Sequence, residues 1–154
     1  MNMETAQANP GAKLVGVVHE FDVEGLACWM REHLPGCSVT ASALTVEQFQ
    51  GGQSNPTYRI SCDDGNCYIL RRKPPGKLLP SAHAIDREYR VMLALSGTDV
   101  PVPKMYGLCE DPEVIGMAFY LMEYISGRIL WDPALPGMSL AERRMWGGMR
   151  MDPR

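Results

Sequence analysis

Two short runs, Thr57–Cys62 and Cys67–Lys73, flank the turn Asp63-Asp64-Gly65-Asn66, and this arrangement limits the fold more than anything else in the chain. Both runs carry β-branched and aromatic residues, and the Asp-Asp-Gly-Asn turn between them marks an antiparallel hairpin. A period of two then fixes the faces of the second strand: Ile69, Arg71 and Lys73 on one side, Tyr68, Leu70 and Arg72 on the other. A third strand is expected at Leu44–Gln50, joined to the hairpin by the glycine-led polar loop Gly51-Gly52-Gln53-Ser54-Asn55-Pro56. Backbone amides approach an anion closely only where no side chain blocks them, so such a loop is suited to cradling phosphate.

The remaining elements follow from helical spacing. Asp22 reads as an N-cap, Val23, Leu26, Ala27, Met30 and Leu34 share one face, and Pro35-Gly36 ends that helix. A second helix is expected from Ser81 to Leu95, and two further strands near Lys104–Cys109 and Met117–Tyr124. The order helix, three strands, helix, two strands implies an α+β fold: a mostly antiparallel five-stranded sheet with an inserted helix and a preceding one. Residues 1–16 are polar and aperiodic and read as a disordered leader, and 17–130 read as one domain. Ser139-Leu140-Ala141-Glu142 is a capping box that should open a third helix, interrupted at Gly147-Gly148. Residues 131–154 therefore read as the truncated start of a second lobe.

A net charge of −3 with a pI of about 5.6 leaves no electrostatic footprint for nucleic acid, and no apolar run is long enough to span a membrane. The five cysteines show no metal-binding spacing, which fits a reducing compartment, and the cytoplasm is the expected location, with mitochondria and peroxisomes the alternatives among relatives. Cys62 and Cys67 flank the hairpin turn; small unbonded strand residues are the favoured reading and a disulfide the lesser one.

Three further features carry chemistry when taken together. Ile69 followed by Arg71 on one strand face suits a nucleotide, an apolar surface for the base and a cation for phosphate oxygens. In the second helix Ile85, Glu88, Tyr89, Met92 and Leu95 share one arc, so Glu88 is the only charge in an apolar stripe and needs a cation, with Arg71 the nearest candidate. The strand Phe119–Tyr124 ends at Ile125-Ser126-Gly127, where main-chain groups leave the sheet and become available to a ligand. Each feature alone has an ordinary reading: a solvated strand end, a rim carboxylate, an apolar strand with a glycine stop.

Loop, cation, carboxylate and exit strand in this order resemble the amino-terminal lobe of the aminoglycoside-phosphotransferase and choline-kinase family, relatives of protein kinases. The stretches Phe49–Tyr58, Tyr68–His83, Asp86–Tyr89, Val100–Lys104 and Phe119–Tyr124 look most like the phosphotransferase-like domain of acyl-CoA dehydrogenase family members ten and eleven. The resemblance implies a nucleotide site in which Gly51, Gly52, Gln53, Ser54 and Asn55 cover the triphosphate. It also implies that Arg71 stands at the usual lysine position, either Arg71 or Lys73 meeting the phosphates, and that Glu88 is the partnering glutamate. Ile69 would then lie against the base, Met122 would be a hinge residue, and Glu123 carbonyl and Ile125 N–H would read the adenine edge.

Relatives of this kind use ATP with magnesium and phosphorylate an acceptor hydroxyl, in the fused branch that of a hydroxyacyl-CoA. They require a His-x-Asp loop beyond the hinge, and here no histidine follows His83, while Asp132 and Asp152 are the only later aspartates. No catalytic or metal-binding residue is therefore assigned. The expectation is the nucleotide-binding half of a phosphotransferase, with weak or no ATP affinity and no activity of its own. The alternative is a noncatalytic binding or interaction module that uses its uncovered sheet underside to dock a partner or itself.

Overall fold

The computed structural model describes residues 14–16, 22–49, 55–74, 85–126, 137 and 139–147. In chain order these form β1 (Leu14–Gly16), α1 (Val23–His33), a 3-10 turn (Ala41–Ala43), β2 (Leu44–Phe49), β3 (Thr57–Cys62) and β4 (Cys67–Arg72), followed by α2 (Ile85–Leu95), β5 (Met105–Cys109), α3 (Pro112–Ile115), β6 (Phe119–Glu123) and α4 (Leu140–Gly147). The sheet, α1, α2 and α3 belong to one compact unit, Ala12–Ser126, and α4 belongs to a second.

All five expected strands are present in one sheet of order β1-β2-β3-β4-β6-β5, and every neighbouring pair is antiparallel. The sixth strand corrects the sequence reading, since Leu14–Gly16, assigned to the leader, pairs with β2 at Leu14↔Phe49, Val15↔Gln48 and Gly16↔Glu47. A three-residue edge strand has no periodicity to detect. The first 13 residues of the expected leader, and Ser81–Ala84 of the expected second helix, lie outside the described residues.

Placing β6 between β4 and β5 gives β4 a partner on each side and so makes it the centre of the site-bearing half of the sheet. The register Thr57↔Arg71↔Tyr120 and, two residues along, Arg59↔Ile69↔Met122 puts these six side chains on one face. The opposite face carries Tyr58, Ile60, Leu70, Phe119 and Leu121, all buried, and these pack with Leu26, Ala27, Trp29 and Met30 of α1 into the main core. Trp29 meets Phe119 edge-on with ring centroids 5.1 Å apart.

Local signals in α1 behave as expected. Asp22 Oδ1 accepts from the amides of Glu24 and Gly25 at 2.9 and 3.1 Å, and the chain leaves the helix through Gly36 at φ 75°. Gly25 also allows a close crossing, because a Cβ there would sit 2.2 Å from the carbonyl oxygen of Val114 in α3. In the second unit the capping box at Ser139 forms reciprocally, with the Glu142 amide donating to Ser139 Oγ and the Ser139 amide to Glu142 Oε2.

All five cysteines are free. Cys67 lies opposite Ser61 in the register, which turns Cys62 to the other face of the sheet, and Cys67 Sγ instead contacts Ser61 Oγ at 3.7 Å. Among the described residues no helix is long and apolar enough to cross a membrane.

Candidate functional site

The site is built from one face of β3, β4 and β6 and from α2, which leans on that face. Ile85 anchors α2 fully buried, and Tyr89 packs on Tyr120 with ring centroids 5.9 Å apart. This matches the arc read from the sequence: Arg87 and Arg90 are exposed, whereas Glu88, Tyr89, Met92 and Leu95 are half-buried.

Glu88 is therefore directed at the sheet, where three side chains hold it. Arg71 Nη2 donates to Oε1 at 3.3 Å, and Nε lies 3.2 Å from Oε2 without the alignment of a hydrogen bond. Asn55 Nδ2 donates to Oε1 at 3.2 Å and the Tyr120 hydroxyl to Oε2 at 3.0 Å. With the Arg71 and Glu88 side chains 29% and 39% exposed, the ion pair itself contributes only about 0.2–1 kcal/mol. Its value is geometric, because it fixes the guanidinium in direction and ties α2 to β4.

The expected partnership of Arg71 with Glu88 is thus present, and Lys73 is not its cation. Lys73 is held by its backbone, the amide donating to the Ala118 carbonyl at 3.1 Å. Arg72, on the opposite face, is buried at 3% exposure, with Nε donating to the Tyr58 hydroxyl at 3.1 Å and the guanidinium over that ring.

Asn55 is the described end of the glycine-led loop; Gly51, Gly52, Gln53 and Ser54 lie outside the described residues. It is 3% exposed, and its Oδ1 has no partner among the described residues. A buried amide that gives its N–H to Glu88 fastens the loop to the same carboxylate that holds Arg71.

On the next row of the same face, Ile69 is buried and faces Met122 across the β4–β6 pair. Glu123 ends β6, its amide donating to the Lys104 carbonyl at 2.8 Å and its Oε2 accepting from the Lys104 amide at 3.1 Å. Ile125 stands 57% exposed where the chain leaves the sheet. Ile69, Arg71, Glu88, Asn55 and Met122 are thus gathered on one face, with Glu123 and Ile125 at its far end.

Two participants were not found by sequence reasoning. Tyr120, the third holder of Glu88, is 1% exposed; burial raises the pKa of its hydroxyl well above the ordinary value, with Arg71 opposing and Glu88 adding to the shift, so it remains a donor. Arg59 pairs with Glu47 directly across the β2–β3 register, Nε to Oε2 at 2.8 Å, and its guanidinium lies 6.0 Å from the ring centre of Tyr124. Burial works to lower the Arg59 pKa, but Glu47 and then Tyr124 outweigh it and the net shift is upward. The alternation of β6 was a usable signal for Tyr120, since it shares a face with Met122; nothing local marked Arg59.

The chain is 50% identical over 130 residues to the probable acyl-CoA dehydrogenase IBR3 of Arabidopsis thaliana, covering 82% of this chain and 16% of that protein. It is 47% identical over 126 residues to acyl-CoA dehydrogenase family member 11 of Rattus norvegicus, covering 81% and 16% respectively. It also resembles the crystal structure of a protein assigned as an aminoglycoside phosphotransferase from Ralstonia eutropha, with 56% identity and a TM-score of 0.65, over 80% of this chain and 33% of that one. The chain thus spans a small part of each relative, about a sixth of the acyl-CoA dehydrogenases and a third of the bacterial protein. The model for the phosphotransferase enzyme family matches residues 45–148, from the second residue of β2 to just past α4, and this chain belongs to that family.

Proposed function

We propose that this chain is the nucleotide-binding half of an ATP-dependent small-molecule phosphotransferase. The observation that carries the reading is the Arg71–Glu88 pair, a cation on the central strand fixed by a carboxylate on the packed helix, with Asn55 of the glycine-led loop on the same carboxylate. A guanidinium held in direction is suited to phosphate oxygens, which it meets with a planar fork of donors. Arg71 is favoured over Lys73 because it alone of the two reaches Glu88.

The residues fit a nucleotide in their order along the face. Arg71 and the loop beginning at Gly51 would hold the phosphates, Ile69 and Met122 would lie against the base, and Glu123 and Ile125 would offer main-chain groups at its edge. ATP supplies the transferable phosphoryl group, and phosphoryl transfer further requires an acceptor-orienting aspartate and magnesium ligands. The stretch after Ile125 carries no histidine, and Asp132 and Asp152 are its only aspartates, so the reading assigns nucleotide binding and no phosphoryl transfer to these residues.

Calorimetric titration with Mg-ATP tests the binding claim. Weak saturable binding that Arg71→Met reduces about tenfold is expected, and heats indistinguishable from buffer would end the nucleotide reading. ATP-dependent phosphorylation of any hydroxyl acceptor by the purified chain would overturn the claim of inactivity.

A second reading is a noncatalytic interaction module, favoured by the exposure of Val91, Leu93 and Ile125 at 52%, 48% and 57%. Large exposed apolar side chains favour association. Sedimentation velocity at rising concentration distinguishes the two, since a monomer at every concentration excludes self-association.

A further inference from the structure

The row of side chains next to Arg71 continues beyond the residues assigned so far. The register runs Glu47↔Arg59↔Ile69↔Met122 across four strands, all four side chains on the face that bears Arg71. Arg59 thus lies in the row of Ile69 and Met122, the proposed base surface, and not in the phosphate row of Thr57 and Arg71. Two residues along a strand separate these rows by about 6.6 Å.

Glu47 holds Arg59 as a cross-strand ion pair, which would account for an ordinary sheet contact. The other contact has no such account. Tyr124 sits on the extension of β6, with β4 lying between β3 and β6, yet the Arg59 guanidinium reaches within 6.0 Å of its ring centre. Arg59 and Tyr124 thus approach each other across β4, whose Ile69 in the Arg59 row is buried.

We propose that Arg59, aimed by Glu47 and met by Tyr124, is a nucleobase-binding residue that stacks its guanidinium on the base above the Ile69–Met122 row. The proposal rests on the nucleotide reading above and deepens it. A guanidinium is planar, weakly hydrated and prone to stack on aromatic faces, whereas a lysine ammonium is a compact point charge. Its side chain keeps 22% exposure, which leaves surface for a ligand. Because it lies in the row of Ile69 and Met122 and not in that of Thr57 and Arg71, it offers its plane to the base while Arg71 faces the phosphates.

Three probes separate base from phosphate: Mg-ATP, adenosine and inorganic tripolyphosphate, each titrated by NMR into the full chain. Arg59→Ala and Arg59→Lys should each weaken adenosine and Mg-ATP about tenfold, the loss of one stacking contact, and leave tripolyphosphate within twofold. Arg71→Met should weaken tripolyphosphate and leave adenosine. The lysine variant keeps a cation beside Glu47, so it tests the plane even where Arg59→Ala fails to fold. Adenosine binding by Arg59→Lys equal to wild type overturns the proposal, as does loss of tripolyphosphate binding equal to that of adenosine. If Arg71→Met weakens Mg-ATP while Arg59 variants do not, this proposal falls and the nucleotide reading stands; if the wild-type chain binds none of the three, both fall.

Discussion

Tyr120 and Glu88 are joined by a 3.0 Å hydrogen bond in which the buried phenol donates to the carboxylate that also receives Arg71. The bond makes α2 positioning depend on β6 as well as β4. Tyr120→Phe keeps the ring and removes the donor, and should lower stability by about 1–2 kcal/mol, the range for a hydrogen bond to a charged group after allowance for partial exposure. Urea denaturation should show a lower midpoint with an unchanged slope. An unshifted midpoint would mean that the phenol does not help to hold the helix.

Asn55→Ala removes the second donor to Glu88 together with Oδ1, which has no partner among the described residues. The loss should be smaller than for Tyr120→Phe, about 0.5–1 kcal/mol, because deletion of that buried acceptor offsets part of it. Mg-ATP titration of this variant should show weaker binding, since the loop loses its tie to the carboxylate. A variant that binds Mg-ATP like wild type would detach Asn55 from the site.

Gly25→Ala should be among the most damaging single-methyl additions in α1, despite alanine's better helix propensity. The new Cβ would meet the Val114 carbonyl oxygen at 2.2 Å, so α1 or α3 must move. Overpacking of this kind costs about 1–3 kcal/mol. Thermal unfolding checks it, and a raised melting temperature would show that the helices separate freely.

Burial pushes the Cys62 thiol up to about 11 from its ordinary 9.0, with Asp64 and neighbouring thiols adding to the effect. The folded chain then keeps this proton when the unfolded chain has lost it. The contribution is complete below pH 9, declines between pH 9 and 11, and is lost as pH rises through the folded value. Cys62→Ser should flatten that part of the stability profile. In native protein at pH 8, iodoacetamide should label exposed Cys28 well before buried Cys62, which peptide mapping would show.

The elements were legible where their signals are local. The Asp22 cap, the hairpin turn and the helical arc of Glu88 all lie within a few residues of what they determine. The Arg71–Glu88 pairing was also foreseeable, because a lone charge in an apolar stripe must find a cation. Tyr120 was missed because its role depends on which strand lies beside β4, and that choice is made across α2 and β5. Burial of Arg72 was equally hidden, since its cover is the Tyr58 hydroxyl on another strand. Leu14–Gly16 gave no pattern at all, because three residues do not establish a period.

The insertion of β6 between β4 and β5 has a consequence for synthesis. When β4 leaves the ribosome its β3 neighbour is ready, but the strand that covers its other side is made only after α2, β5 and α3. Throughout that interval the nascent hairpin shows an open, largely apolar edge at Tyr68–Leu70, a template for pairing with another chain. The basic sequence Arg71-Arg72-Lys73 at the end of that edge would set like charges against each other where two such edges meet in parallel register, which disfavours that pairing of unfinished chains.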